Sequence, residues 1–193
     1  VMTYREVFLK SFVIGRYLKR RTKGDKNVGV VIPTSSACIL SILGLHAYGK
    51  VPAMLNFTTS PKQVLSTCET AEIKRIVTAH KVVEMAHLEP LIDELKENGL
   101  EIIYLEDMKT GLSVWDKIVG GLAMLFPKLV YSITAPNVAP DDPAVILFTS
   151  GTEGKPKGVV LSHKNIISNV YQLITKFDIL ENDVMLNCLP MFH

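Results

Sequence analysis

The sequence predicts an α/β fold, a parallel-rich sheet with helices on both faces. Short β-branched runs alternate with helical stretches from Val28 to Leu105, the pattern of strands joined by crossover helices. Several of those runs are apolar without interruption, as a strand buried on both faces must be. Near the end a glycine-rich loop stands between two apolar runs, Ala144–Phe148 and Val159–Leu161. In such sheets ligands bind beyond the carboxyl ends of the strands.

The first helix is expected over Tyr4–Arg20. Thr3 and Glu6 have capping-box spacing, so each side chain can satisfy an orphan amide of the first turn. Val7, Phe8, Phe12, Val13, Tyr17 and Leu18 recur at helical spacing and define one buried face. The helix runs into Arg16, Lys19, Arg20, Arg21, Lys23 and Lys26. Cations suit a helix C-terminus. A patch for anionic lipid or an acidic carrier is the sharper reading.

Strands follow at Val28–Ile32, Val51–Leu55, Arg75–Ala79 and Ile102–Leu105. Helices are expected at Ala37–Tyr48, Pro61–Glu69 and Val82–Lys96. Pro61 suits a first helical turn, and Gly99 follows the third helix as a terminator would. Asn27–Gly49 holds no Asp, Glu, Lys or Arg and is long enough to cross a bilayer. It reads better as strand, turn and serine-capped helix, because Pro33 and three hydroxyls would sit inside a span. Trp115, Ile118, Leu122, Leu125 and Phe126 give a helix that Pro127 breaks. That helix is expected in the core, with a membrane-surface helix as the alternative. Residues 135–143 read as a loop, Ser162 as the cap of a last helix with a buried stripe from Ile166 to Phe177, and Val184–Leu189 as a short strand.

The chain has 193 residues, 48% hydrophobic and 21% charged, a globular composition. A net charge of +2 excludes nucleic acid as the main partner. Cys38, Cys68 and Cys188 are scattered and form no CxxC pair, so buried reduced thiols and a cytosolic setting are expected. The histidines lack zinc spacing with them, and no protein-only metal site is expected. Charges run through the first 26 residues, unlike a signal peptide.

The loop is Thr149-Ser150-Gly151-Thr152-Glu153-Gly154-Lys155-Pro156-Lys157-Gly158. It packs three glycines, three hydroxyls and two lysines into ten residues. Glycines let the backbone approach a phosphate, hydroxyls donate to it, and lysines neutralise it. It is not a Walker loop, since Pro156 stands where that motif needs Ser or Thr. A dinucleotide GxGxxG is absent as well.

Thr149 to Val159 resembles the signature loop of the adenylate-forming superfamily. Leu189-Pro190-Met191-Phe192-His193 is similar to that superfamily's next motif, at the usual separation. Glu153 departs from the usual threonine and resembles the acyl-acyl-carrier-protein synthetase branch, as do Pro52–Thr58 and Ala71–Lys74. The resemblance implies that ATP, with Mg²⁺, activates a fatty carboxylate to an acyl-adenylate. A phosphopantetheine thiol on acyl carrier protein, or alternatively CoA, then takes the acyl group. It implies that Thr149, Ser150, Gly151, Thr152, Glu153, Gly154, Lys155, Lys157 and Gly158 line the nucleotide site and that His193 serves at the acyl pocket. In that branch the parent protein also acylates a 2-acyl-glycerophosphoethanolamine, a lysophospholipid, at the cytoplasmic face of the cell membrane. Residues 1–193 would then be the first part of the large AMP-binding domain and inactive alone. An acyl-CoA or aryl-CoA ligase, or a non-catalytic nucleotide- or anion-binding module, is the alternative.

Overall fold

The computed structural model describes residues 2–111, 114–134, 136–149, 156–180 and 182–192. Six strands form one sheet in the order β4-β3-β1-β2-β5-β6. They are β1 (Asn27–Val30), β2 (Val51–Met54), β3 (Arg75–Thr78), β4 (Glu101–Tyr104), β5 (Pro143–Thr149) and β6 (Lys157–Ser162). The first five pair in parallel and β6 returns antiparallel to β5. The parallel-rich α/β architecture expected from the sequence is therefore present.

The apolar strands work because successive side chains point to opposite faces. Val28, Val30, Met54 and Val77 join one core with Tyr17 and Leu18 of α1 (Tyr4–Arg21) and Leu45 of α2 (Ser36–His46). Val51, Ala53, Leu55 and Ile76 join a second core on the other face. That face is covered by α3 (Pro61–Thr70), α4 (His80–Met85) and α5 (Glu89–Glu97). The caps act where expected. The Thr3 hydroxyl accepts from Glu6 N–H while Glu6 accepts from Thr3 N–H, and Ser35 accepts from Cys38 N–H.

Five expectations need correction. The Val82–Lys96 helix is two helices, because His87 takes a left-handed φ of 50° and Pro90 opens the first turn of α5. Proline inside a continuous helix would forfeit a backbone hydrogen bond. The Trp115 helix breaks at Pro127 as expected, giving α7 (Val114–Leu125) and α8 (Pro127–Thr134) after the short α6 (Met108–Gly111). It is not a core helix, however. Trp115 is 68% exposed, whereas Asp116 and Ala123 face inward.

Ser162 does cap α9 (His163–Lys176), with Asn165 completing a capping box. The stripe from Ile166 to Phe177 is nevertheless exposed, and no described residue of α9 is buried. Residues 184–189 form no strand and join no ladder of the sheet. The thiols divide as well. Burial pushes Cys38 up to about 11 and Cys68 up to about 12, whereas Cys188 is exposed. Among the described residues no helix is long and apolar enough to cross a membrane.

Candidate active site

The carboxyl edge of the parallel strands gathers the two sequence motifs. Ala53 of β2 stands opposite Ile146 of β5, so Asn56, three residues on, is level with Thr149. Neighbouring strands lie about 4.8 Å apart. Phe57 follows Asn56 and holds Phe192 edge-to-face, with ring centroids 5.4 Å apart. Beyond β1, the Thr34 hydroxyl donates to Leu189 O at 3.0 Å. The Leu189–Phe192 motif is thus pinned to the ends of β1 and β2, beside the strand that ends in the loop. Phe192 is 8% exposed and belongs to the core on the α1–α2 face.

Thr149 and Lys157 are paired residues at the mouth of the β5–β6 hairpin. Lys157 is exposed and free to reach an anion in front of the edge. Gly158 pairs with Phe148, and a Cβ there would make ordinary contacts of 3.4 Å to Phe148 and 3.5 Å to Ile146. Its side of the hairpin does not demand glycine on steric grounds. Ser150, Gly151, Thr152, Glu153, Gly154, Lys155 and His193 lie outside the described residues.

A cavity of about 300 Å³ opens beside Thr149. Leu55, Val64 and Phe148 supply its apolar wall, while Asn56, Thr59 and Gln63 supply polar atoms. Among the described residues no Asp or Glu lines it, which suits an anionic ligand. The loop after β2 is pre-shaped: Asn56 Oδ1 accepts from the Thr58 N–H at 3.0 Å and from its hydroxyl at 2.7 Å. The Thr59 hydroxyl donates to Asn56 O at 2.8 Å. Asn56 belongs to the Pro52–Thr58 stretch read for its family resemblance, whereas Thr59 and Gln63 were not singled out from sequence. Their signal was a polar run directly after a buried strand, at the edge where α/β sheets bind ligands.

Further along the edge, Glu106 accepts from the backbone N–H groups of His80 and Lys81 at the start of α4. Partial burial works to raise its affinity for a proton, but those hydrogen bonds outweigh it and hold the carboxyl below its ordinary value. Among the described residues no group of three His, Cys, Asp or Glu could hold a metal ion.

The family model described as "AMP-binding enzyme" matches residues 1–193. The chain is 27% identical over 198 residues to a 4-coumarate–CoA ligase 2 of Nicotiana tabacum, covering 100% of this chain and 34% of that protein. A 4-coumarate–CoA ligase 4 of Arabidopsis thaliana is 28% identical over 204 residues, with the same coverage. The chain therefore spans about a third of the length of these curated relatives. Among solved structures, o-succinylbenzoate–CoA synthetase of Bacillus subtilis, in complex with ATP and magnesium, superposes with a TM-score of 0.77 at 20% identity. That match covers 100% of this chain and 45% of the other. ATP-bound MatB of Rhodopseudomonas palustris gives a TM-score of 0.75 at 21% identity, covering 100% and 36%. At these identities the structures speak for the fold. The curated relatives named here are CoA ligases, so they lend no support to the carrier-protein branch read from Glu153.

Proposed function

Because this chain belongs to the AMP-binding enzyme family, we propose that it is the opening part of the large domain of an acid–thiol ligase, with CoA as the thiol. The observation that carries the proposal is the shared edge. Thr149 of the loop strand is level with Asn56, and Phe57 beside it holds Phe192 of the second motif. The end of the strand that leads into the loop and an aromatic pair of the second motif therefore share one edge, which supports a site for both phosphate and acid there.

ATP, when bound, supplies an α-phosphorus for attack by a carboxylate oxygen. The bond to pyrophosphate breaks and an acyl-adenylate remains. The thiol then attacks the acyl carbon, loses its proton, and AMP leaves. Thr149, Ser150, Gly151, Thr152, Gly154, Lys155 and Lys157 would hold the departing pyrophosphate by donated hydrogen bonds and positive charge. Such hydrogen bonds to a charged group contribute about 1.5–3 kcal/mol each. Gly158 would set the hairpin's return strand. Phe57 and Phe192 would bound the apolar body of the acid, with His193 beside its carboxylate. The cavity at Thr149 fits this use, since its described lining offers amide and hydroxyl groups and no carboxylate. Mg²⁺ commonly rides on substrate phosphates with few protein ligands.

The substrate class is a carboxylic acid with an aromatic body, as the names of the ligase relatives suggest. Glu153 favours a second reading, in which a carrier-protein thiol is the acceptor and the parent protein also acylates a lysophospholipid at the membrane face. Thioester formation by the complete protein, offered CoA and phosphopantetheinylated carrier protein separately, decides between them. Transfer to CoA is expected. Transfer to the carrier protein alone would establish the second reading.

A further inference from the structure

We propose that the outer face of α7 and α8 is a docking surface for an anionic lipid bilayer, on which both helices lie flat. The face is apolar along its length. Trp115, Ile118, Leu122 and Leu125 recur on one side of α7 and are exposed, whereas Asp116 and Ala123 on the other side are buried. Phe126, Leu129 and Ile133 continue the exposed run through the Pro127 break into α8, while Val130 turns inward. Large apolar side chains exposed in such a run mark an interaction surface.

Charge decides which partner fits. Residues 108–140 hold three lysines, Lys109, Lys117 and Lys128, and a single acid, Asp116. That acid is sealed beneath α7 and meets both Arg16 and Arg20. It offers nothing negative to the outside, and one arginine charge is left over. Lys128 is exposed between the exposed Phe126 and Leu129. A lysine so placed can lay its stem on apolar surface and carry its ammonium to a lipid phosphate. Trp115, an apolar ring with one N–H donor, suits the boundary between acyl chains and head groups. An apolar face flanked by cations is the pattern of a helix that lies in a membrane surface.

Length sets the mode of contact. α7 has 12 residues and α8 has 8, roughly 18 and 12 Å of helix. A bilayer core is about 30 Å thick, so neither helix crosses it and each fits within the surface layer. The basic run of α1 takes part indirectly. Arg16 and Arg20 hold Asp116 inward, which fixes the rotation of α7 with its apolar side chains outward. The surface is carried by α7 and α8 and does not depend on which thiol accepts the acyl group.

The chain has one tryptophan, and it lies on this face, so its emission reads the contact directly. The test is titration of the chain with vesicles of phosphatidylglycerol and, separately, of phosphatidylcholine. A saturable blue shift of Trp115 emission is expected, at least about tenfold tighter on phosphatidylglycerol and weaker there at high salt. Leu125→Ser combined with Leu129→Ser should weaken binding at least about tenfold. The melting temperature should not change, because both side chains are exposed. Lys128→Glu should weaken binding to phosphatidylglycerol only. Ile174→Ser combined with Phe177→Ser, on the exposed stripe of α9, should leave binding unchanged. Emission indifferent to phosphatidylglycerol vesicles would overturn the proposal. So would native affinity in the Leu125 and Leu129 variant, loss confined to the α9 variant, or self-association of the chain that buries Trp115 without lipid.

Discussion

Arg16 on α1 and Asp116 on α7 form an ion pair, Nε to Oδ1 at 2.5 Å, whose carboxylate is sealed from water. Arg20, one turn on, meets the other oxygen at 2.8 Å and also donates to Gly111 O. Lys19 lies over the Tyr48 ring and Arg21 over the Tyr17 ring. Much of the basic run that could have formed a lipid patch is therefore engaged in contacts within the chain. It anchors α7 while Trp115, Ile118, Leu122 and Leu125 of that helix stay exposed.

Either arginine alone keeps Asp116 paired, so Arg16→Met and Arg20→Met should each be mild. The double variant takes both cations from a buried carboxylate. It should cost about 2–4 kcal/mol, less than a fully buried pair because both arginines are partly exposed. Urea denaturation of the four proteins measures this. A double-variant cost equal to the sum of two small losses would contradict it.

Gly15 and Gly44 let α1 and α2 touch backbone to backbone. A Cβ on Gly15 would collide with Gly44 O and stand 2.8 Å from Tyr48 Cδ2, and one on Gly44 would stand 2.8 Å from Ser11 O. Backbone atoms cannot rotate away, so Gly15→Ala should destabilise by about 3 kcal/mol or prevent folding. Thermal melting checks it, and a melting temperature within a degree of the native value would contradict the close crossing.

His46 predicts a pH effect. Burial, together with the nearby His163, outweighs the Ala144 hydrogen bond and lowers its affinity for a proton below the ordinary 6.5. The folded protein then binds fewer protons there than the unfolded chain. Its contribution is complete above pH 6.5 and is lost as pH falls through the depressed folded value. His163, Asp142, Lys26 and Lys50 border the adjoining cleft and are common to both proteins compared. His46→Gln, which can still donate to Ala144 O, should lose less stability than the native chain between pH 7.5 and 5.5. Equal losses would contradict the assignment.

Local signals were legible because local physics decides them. The Thr3 and Ser162 caps, the apolar strands and the break at Pro127 all rest on groups within a few residues. The fate of the α9 stripe was not, since helical periodicity says that a face suits cover and not what covers it. The same limit applies to α7, which turns the charged Asp116 inward, tolerable because the distant Arg16 and Arg20 meet it. At the site, Thr149 and Lys157 were readable from the loop. Thr59 and Gln63 became visible only through the cavity that they line beside Thr149.

The exposed stripe gives its own expectation. Ile174→Ser and Phe177→Ser should each change the stability of this chain by no more than about 0.5 kcal/mol, as surface substitutions do. A loss near 2 kcal/mol in urea denaturation would mean that the α9 face is covered in solution.

The most direct test of the proposed chemistry is carboxylate-dependent exchange between ATP and pyrophosphate by the complete protein bearing these residues, native and Lys157→Ala. Lys157 is exposed, so its loss should spare the fold, which the melting temperature verifies. Exchange should require an aromatic or fatty acid, and Lys157→Ala should lower it about 100-fold, as removal of a group stabilising developing charge does. Native exchange left unchanged by Lys157→Ala would contradict the assignment of this hairpin as the phosphate grip.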